Sequence, residues 1–573
     1  MKKIYMIAVA VLTASAMLLN AQPIQLSGVE SLWGKALTSN GDKSSCMGGQ
    51  LVKANNGDLF MVAFGGSATA DNVIRFGDDP IANGIDYSGT SANRNFILSK
   101  ITQEGQMQWT IASTMGEVAA NEEWAVATAD GGVVVAFKAH HTMGHLADDI
   151  NFRDAKGNNV KLNWVLNADA KRFYNGVVMK VSSEGAIEWV TQLAMDNKPR
   201  PNAGNAYKDN TSEGIKVNGI ATDANGNLYV SGRMMTEMTI TKTDGSTVKI
   251  APHNVDTWDG NPQKSVGNAF IVKLDAMGHY LAHFVSGGKS VNDAIRTMTI
   301  KDGKLYGLVM MQGIKDTEMK MGDKGVTPQG SYNSLGTVCM DLDLQTVHWF
   351  NLYESTIKGS MVNNSNMKVN DDAILLMGQA KYEIKIGNKQ LKSNDIRDAM
   401  LLKADRETGK LLDGTIKQVA FSSYFDTFQD KEQNLYAGTF ALVGPLAIEK
   451  IDKETLEVTD RVELFPKSNS AQSLVTDGNK LFAMSSFDGE NVKSIAGGTP
   501  FTVSAKSKGC LISAYSLPFQ AATLVHEVEN EKVVIGTQYY NLQGVASSTA
   551  FDGINVVVTH YSDGSRSVTK MMK

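Results

Sequence analysis

Short polar turns followed by apolar runs recur along the whole chain. Asn56-Gly57-Asp58 precedes Leu59-Phe60-Met61-Val62, Asp130-Gly131-Gly132 precedes Val133-Val134-Val135, and Asn225-Gly226-Asn227 precedes Leu228-Tyr229-Val230. Similar turns stand ahead of Leu305, Ile374, Leu435 and Leu481, which makes seven occurrences. Turn formers followed by β-branched and aromatic residues are a hairpin signal. A second pattern follows each copy: an apolar strand, a tight turn, and often a strand opening near Trp. Phe96–Ile101 leads through Gln103-Glu104-Gly105 to Trp109, and Val177–Val181 leads through Ser183-Glu184-Gly185 to Trp189. Met400–Lys403 with Glu407-Thr408-Gly409, and Ile448-Glu449-Lys450-Ile451, are weaker copies. Each repeat therefore reads as four antiparallel strands, and repeated four-stranded units predict propeller blades.

The last repeat, ending at Leu511–Tyr515, lacks its Trp strand, and an orphan one stands at Leu32-Trp33-Gly34-Lys35-Ala36-Leu37. Pairing the two leaves no open ring interface of unpaired strand groups. The expectation is an all-β chain: a seven-bladed β-propeller over residues 27–518, closed by an N-terminal strand, then a small C-terminal β module over 520–573. The second-to-third-strand links are long in every repeat but the sixth. With the blade-to-blade links they are expected on one face, where function would sit, because loops on a rigid scaffold carry it.

Residues 1–21 read as a cleaved secretory signal peptide: Lys2 and Lys3, an apolar core from Ile7 to Leu19, and Ala21 before the cut. No later apolar run is long enough to span a membrane, so no transmembrane span is expected. The formal net charge of −5, from 55 Lys+Arg and 60 Asp+Glu, argues against nucleic acid as a partner. Three cysteines, Cys46, Cys339 and Cys510, read either as isolated thiols or as one bridge plus a thiol.

Candidate chemistry is sparse. His140, His141 and His145 with Met143 have metal-binding side chains but loop spacing, and Asp223-Ala224-Asn225-Gly226-Asn227 lacks the Glu that ends a calcium loop. Asp78-Asp79 and Asp148-Asp149 are paired carboxylates within insertions. None of these identifies a metal site or a catalytic residue, and no cofactor is expected. Trp33, Trp109, Trp189 and Trp349 occupy the repeating strand position and read as packing residues. Trp164 and Trp258 fall inside insertions, with Tyr174 near the end of one. Aromatics on a loop face stack on sugars or anchor proteins, which makes these three the candidate ligand-binding residues.

Two resemblances follow. Asp223-x-Asn225-Gly226-Asn227-Leu228-Tyr229-Val230-x-Gly232 and Ala269–Asp275 resemble the SBBP-type β-propeller repeats of secreted bacterial proteins. Tyr539-Tyr540-Asn541-Leu542-Gln543-Gly544 and Asp552-Gly553-Ile554-Asn555-Val556-Val557-Val558 resemble the C-terminal sorting domain of Bacteroidetes type IX secretion cargo. Asn541 replaces the family's usual Asp there, and Val545 a common Arg or Lys. The second resemblance implies export through the periplasm to the medium or outer cell surface, with the type IX machinery as a partner. Function follows as a non-catalytic binding platform for an unknown protein or glycan. The alternatives are a polysaccharide- or peptide-degrading enzyme with its site on the long-loop face, and a structural or antigenic surface protein.

Overall fold

The computed structural model describes residues 26–572 apart from 27, 40–44, 67–72, 84–94, 114–116, 119–124, 143–150, 163–171, 196–214, 235–236, 243, 254–266, 289, 314, 331–332, 358–359, 395–396, 420, 443, 523–533, 542, 548 and 562–565. The described residues form strands and turns, with no helix among them.

The repeats fold as antiparallel sheets in which four strands follow one another outward. The first holds Met47–Lys53, Leu59–Gly65, Asn95–Ile101 and Met107–Ser113. The second holds Ala125–Ala127, Val133–Thr142, Arg172–Val181 and Ile187–Met195, and the third Lys216–Thr222, Leu228–Met234, Asn268–Leu274 and Tyr280–Val285. The fourth comprises Ser290–Lys301, Lys304–Gly313, Asn333–Asp341 and Val347–Tyr353. Met361–Val369, Ala373–Lys381, Asp398–Asp405 and Leu411–Lys417 make the fifth. Ser422–Gln429, Leu435–Ala441, Gly444–Ile451 and Val458–Ser468 make the sixth. The last takes Ser470–Asp477, Lys480–Lys493 and Thr502–Ser516 from the end of the repeats and Glu30–Ser39 from the N-terminal side. That outer strand pairs antiparallel with Trp33 opposite Ala514 and Ala36 opposite Leu511, the strand pair expected from the orphan Trp segment.

The second strands are buried along most of their length, and Leu59–Gly65 and Leu228–Met234 along all of it, because neighbouring sheets cover both faces. This explains their continuous apolar runs, whereas outer strands such as Met107–Ser113 mix buried and exposed positions. One apolar cluster fills each contact between successive sheets. Phe60, Phe96, Phe137 and Met179 join the first and second, and Leu375, Leu401, Leu435 and Ala437 join the fifth and sixth. Leu37, Leu59, Met61, Met484 and Ile512 join the last sheet to the first. Each fully buried Leu or Phe contributes roughly 1.5–3 kcal/mol. Cys46 and Cys510 belong to the cluster between the last and first sheets, and all three cysteines are buried and outside any disulfide.

The tight turns are held by carboxylates. Asp223 Oδ1 accepts the amides of Asn225 and Asn227, both at 2.9 Å, while its Oδ2 accepts the Asn227 side chain and the Tyr229 hydroxyl. Asp430 repeats this arrangement with Glu432, Asn434 and Tyr436. The Asp-Asn pattern after Asp223 is thus turn chemistry.

Beyond Ser516 the strands Val534–Tyr540, Ala546–Ser547, Ile554–Tyr561 and Arg566–Met572 form one further antiparallel sheet.

Candidate functional site

The long links do not simply crowd one face. Their described parts form hairpins that add to the outer strand of the preceding sheet or to its continuation. Val73–Phe76 pairs with Leu37–Ser39, Asn151–Arg153 places Phe152 opposite Ser113, and Met238–Lys242 pairs with Thr191–Met195. Met319–Met321 pairs with Gly287–Gly288, which continues the third sheet's outer strand. The amide of Thr356, just past the fourth sheet's outer strand, donates to the Glu383 carbonyl at 2.9 Å. At the sixth sheet the Ile495 amide donates to the Leu464 carbonyl. Alternating apolar residues drive this docking: Ile74, Phe76, Phe152, Met319 and Met321 are all fully buried.

The fifth sheet is the exception. The next repeat's link, between Leu435–Ala441 and Gly444–Ile451, is too short to carry a hairpin. Among the described residues, no strand pairs with the outer edge of Leu411–Lys417.

The same junction lacks the tryptophan, as do the outer strands of the third and sixth sheets, where Lys273 pairs with Ala282 and Lys450 with Asp460. On the third and outer strands, Lys100 pairs with Trp109, Lys180 with Trp189 and Cys339 with Trp349, but Lys403 pairs with Asp413. Trp109 lies on the next sheet's turn, with its Nε1 donating to the Ser183 carbonyl at 2.9 Å and its ring against Gly185. A Cβ at Gly185 would come within 2.9 Å of that ring, so only glycine lets the indole approach. Trp33 and Trp189 meet Gly105 and Gly278 in the same way, and Trp349 meets Gly409. At the fifth sheet a lysine latch is present, Lys403 Nζ donating to the Lys453 carbonyl at 2.9 Å, as Lys273 Nζ does to the Leu342 carbonyl at the third sheet.

A buried charged network lines the slot instead. Glu449 has no exposed side-chain surface and pairs with Arg461, whereas the equivalent couples are Ser99–Thr110, Met179–Val190 and Val338–Phe350. Glu449 Oε1 accepts from Lys417 Nζ of the fifth sheet and from Arg461 Nη1 of its own sheet. Its Oε2 accepts the Tyr424 hydroxyl at 2.9 Å. Burial, then the Glu449 charge, pushes the Tyr424 hydroxyl well above the ordinary tyrosine range, so it stays a donor. Lys417 and Arg461 keep 29% and 22% of their side chains exposed, so the cluster opens to the surface through its cations. Beside it stand two exposed apolar side chains, Val419 at 42% and Leu442 at 40%. The Leu442 amide donates to the Phe421 carbonyl at 2.8 Å, which holds the two segments together, and the Val419 amide turns back to the Lys417 carbonyl at 2.7 Å.

The three aromatic candidates are not brought together within the described residues. Trp164 and Trp258 lie outside them, and of Tyr174 only the backbone is described, opposite His140. His145 and Asp148-Asp149 also lie outside, as does the segment 1–25. Asp78 and Asp79 sit at the tip of an exposed hairpin. Among the described residues, no group of three or more His, Cys, Asp and Glu is placed to hold a metal ion. No helix among them is long and apolar enough to cross a membrane. Sequence reasoning passed over Glu449 and Arg461. The signal was present in Ile448-Glu449-Lys450-Ile451, where a charge stands at a position apolar or small in the other copies.

Comparison with known proteins agrees with this architecture. Residues 188–233 match the SBBP beta-propeller repeat, a stretch running from the second sheet's outer strand into the third sheet. The fold is a β-propeller built from repeats. A protein of unknown function from Dyadobacter fermentans is 9% identical, with 86% of this chain and 100% of that chain covered, at a TM-score of 0.35. A quinohemoprotein alcohol dehydrogenase from Pseudomonas putida is 11% identical, with 87% and 79% covered, at a TM-score of 0.36. No curated protein sequence matches the chain.

Proposed function

We propose that the chain is a seven-bladed propeller, closed by its N-terminal strand, that acts outside the cell or on its surface as a non-catalytic binding platform for a protein or glycan. Closure is supported by the pairing of Glu30–Ser39 with Thr502–Ser516 and by the apolar cluster between the last and first sheets. In this reading residues 1–21 are removed and 27–518 form the ring. Residues 520–573 carry the chain through the periplasm to the type IX machinery. Trp164, Tyr174 and Trp258 are its proposed ligand contacts.

The observation that carries the binding role is the fifth–sixth junction, where a repeated docking position has no hairpin among the described residues. Several carboxylates elsewhere, Asp223 and Asp430 among them, are engaged in holding the scaffold. Asp426, on an inner strand, accepts the Leu474 amide at 2.8 Å and pairs with Lys368 at 3.3 Å. The test is to incubate the mature protein with panels of polysaccharides and peptides while following both retention and new chain ends. Retention without new reducing ends or amino termini is expected. Turnover by the purified chain would overturn the reading. Intact mass of protein recovered from the medium checks the export part, with loss of both terminal segments expected.

A further inference from the structure

We propose that the edge of Leu411–Lys417 around residues 415–419, with Val419 and Leu442 beside it, is a docking site for an extended strand of another protein. That strand adds antiparallel to the fifth sheet and carries apolar side chains at alternate positions. The proposal rests on the binding-platform reading and specifies its partner.

Continuity with the chain's own interface carries the argument. Aligned on the third strands, Asp413 takes the position of Trp109, Trp189 and Trp33. The residues that receive hairpins are Ala112–Ser113, Thr191–Met195 and Leu37–Ser39. Counted from the tryptophan position, all fall on the equivalents of 415–419. In each case the incoming strand runs antiparallel and buries apolar side chains, such as Phe152, Ile240 and Ile74, between two sheets.

At the fifth sheet the receiving strand and the flanking sheet are present, and among the described residues no incoming strand pairs with them. The exposed apolar side chains Val419 and Leu442 lie at this same end of the strand. An unpaired edge offers main-chain donors and acceptors to any extended segment, and side-chain pockets then select among segments. The strand is short and has a local guard at its centre, where Asp413 Oδ1 accepts the Gly414 amide at 2.7 Å. Within 415–419 the Val419 amide already donates to the Lys417 carbonyl, and the Val419 carbonyl accepts from the Ser422 amide and hydroxyl, so those three groups are not part of the edge offered to an incoming strand. Lys417 and Arg461, already bound to Glu449, fix the floor of the slot.

The hairpin segment 237–251 serves as the probe, because in the chain its Met238–Lys242 strand fills the equivalent position on the second sheet. The synthetic peptide is titrated against the full chain, and amide hydrogen exchange is read segment by segment. The expected result is slowed exchange at 415–419 that saturates with peptide. Affinity should fall roughly tenfold or more in the double variant Val419→Asp/Leu442→Asp, whose exposed positions leave the fold intact. A second variant carries a copy of residues 382–393 inserted between Leu442 and Gly444. This fills the slot from within, and it should bind no peptide while melting no lower than the parent chain. Unchanged exchange at 415–419 under millimolar peptide overturns the proposal. So does a concentration-dependent dimer abolished by the double variant, because the occupant would then be a second copy. Turnover of a polysaccharide or peptide would sink the platform reading while leaving the exchange result to stand by itself.

Discussion

The junction between the first and second sheets and that between the fifth and sixth share one frame and are filled in opposite ways. In the first, Phe96 and Phe137 stack at 4.3 Å, and Phe152 from the inserted hairpin meets both edge-on at 5.9 Å. Trp109 then seals the outside against Gly185. In the second, Asp413 stands at the Trp109 position, Lys417 at that of Ser113, Glu449 at that of Met179 and Arg461 at that of Val190. The apolar plug has been exchanged for a salt-bridged cluster that reaches solvent through its cations. Backbone pairing sets the frame in both cases, and side chains decide whether the junction is sealed or open. A dry aromatic junction is held by burial. A buried ion cluster gains little net stability, because desolvation offsets the attraction, yet it is costly to break from one side.

The largest expected effect tests the sealed side. Trp109→Ala should lower stability by about 3–4 kcal/mol in urea unfolding, from lost burial and the cavity over Gly185. Asp413→Ala, at the equivalent position, should cost under about 1 kcal/mol, since its partner Lys389 is 45% exposed. Equal costs for the two would break the comparison. On the open side, Glu449→Ala should cost about 2–3 kcal/mol by leaving Lys417 and Arg461 facing each other without their shared anion. The triple change Lys417→Met/Glu449→Leu/Arg461→Met should recover most of that loss, as read from melting temperatures. If the single change is neutral, solvent reaches the cluster more freely than the buried Glu449 implies.

Much of this contrast was legible in the sequence. The recurring turns and strands gave the sheets, because each strand pattern repeats the same local chemistry. The orphan segment Leu32–Leu37 pointed to its partner because only one repeat lacked an outer strand. The short sixth link and the missing Trp after Met400–Lys403 were also visible. Their meaning was not, because the destination of the other insertions is a tertiary fact. A hairpin such as Met238–Lys242 with Thr247–Ile250 shows its own pairing in sequence, but nothing local says that it lies on the preceding sheet. Glu449 escaped notice for a related reason. A charge in a strand normally faces water, and only the packed neighbouring sheet shows that this one does not. The aromatic candidates Trp164 and Trp258 were chosen by position in insertions, a criterion blind to where insertions fold.

The smallest expected effect concerns one carboxylate-held turn beside each junction, and its sign follows from linkage. Burial raises the Asp430 carboxyl, but hydrogen bonds from the Asn434 side chain and amide, then from Tyr436 and Glu432, outweigh it and hold the group below its ordinary value of 3.8. Asp154 is lowered in the same way, with burial opposed by the Asn158 side chain and amide. A carboxyl with a depressed folded-state pKa binds its proton more tightly when unfolded. Its stabilising contribution is therefore complete above the unfolded value and is lost as pH falls through the folded one. The chain should hold constant stability from these groups above about pH 5 and lose it progressively below about pH 4. Asp430→Asn removes one such group. It should cost about 1 kcal/mol at neutral pH, by weakening the bonds to Glu432 and Asn434, and should flatten the acid limb of a urea-midpoint series. Both junctions should respond alike to acid through these turns. A fifth–sixth junction that alone loosened on acidification, in hydrogen exchange at 411–417, would break this expectation and restore the difference between the two junctions.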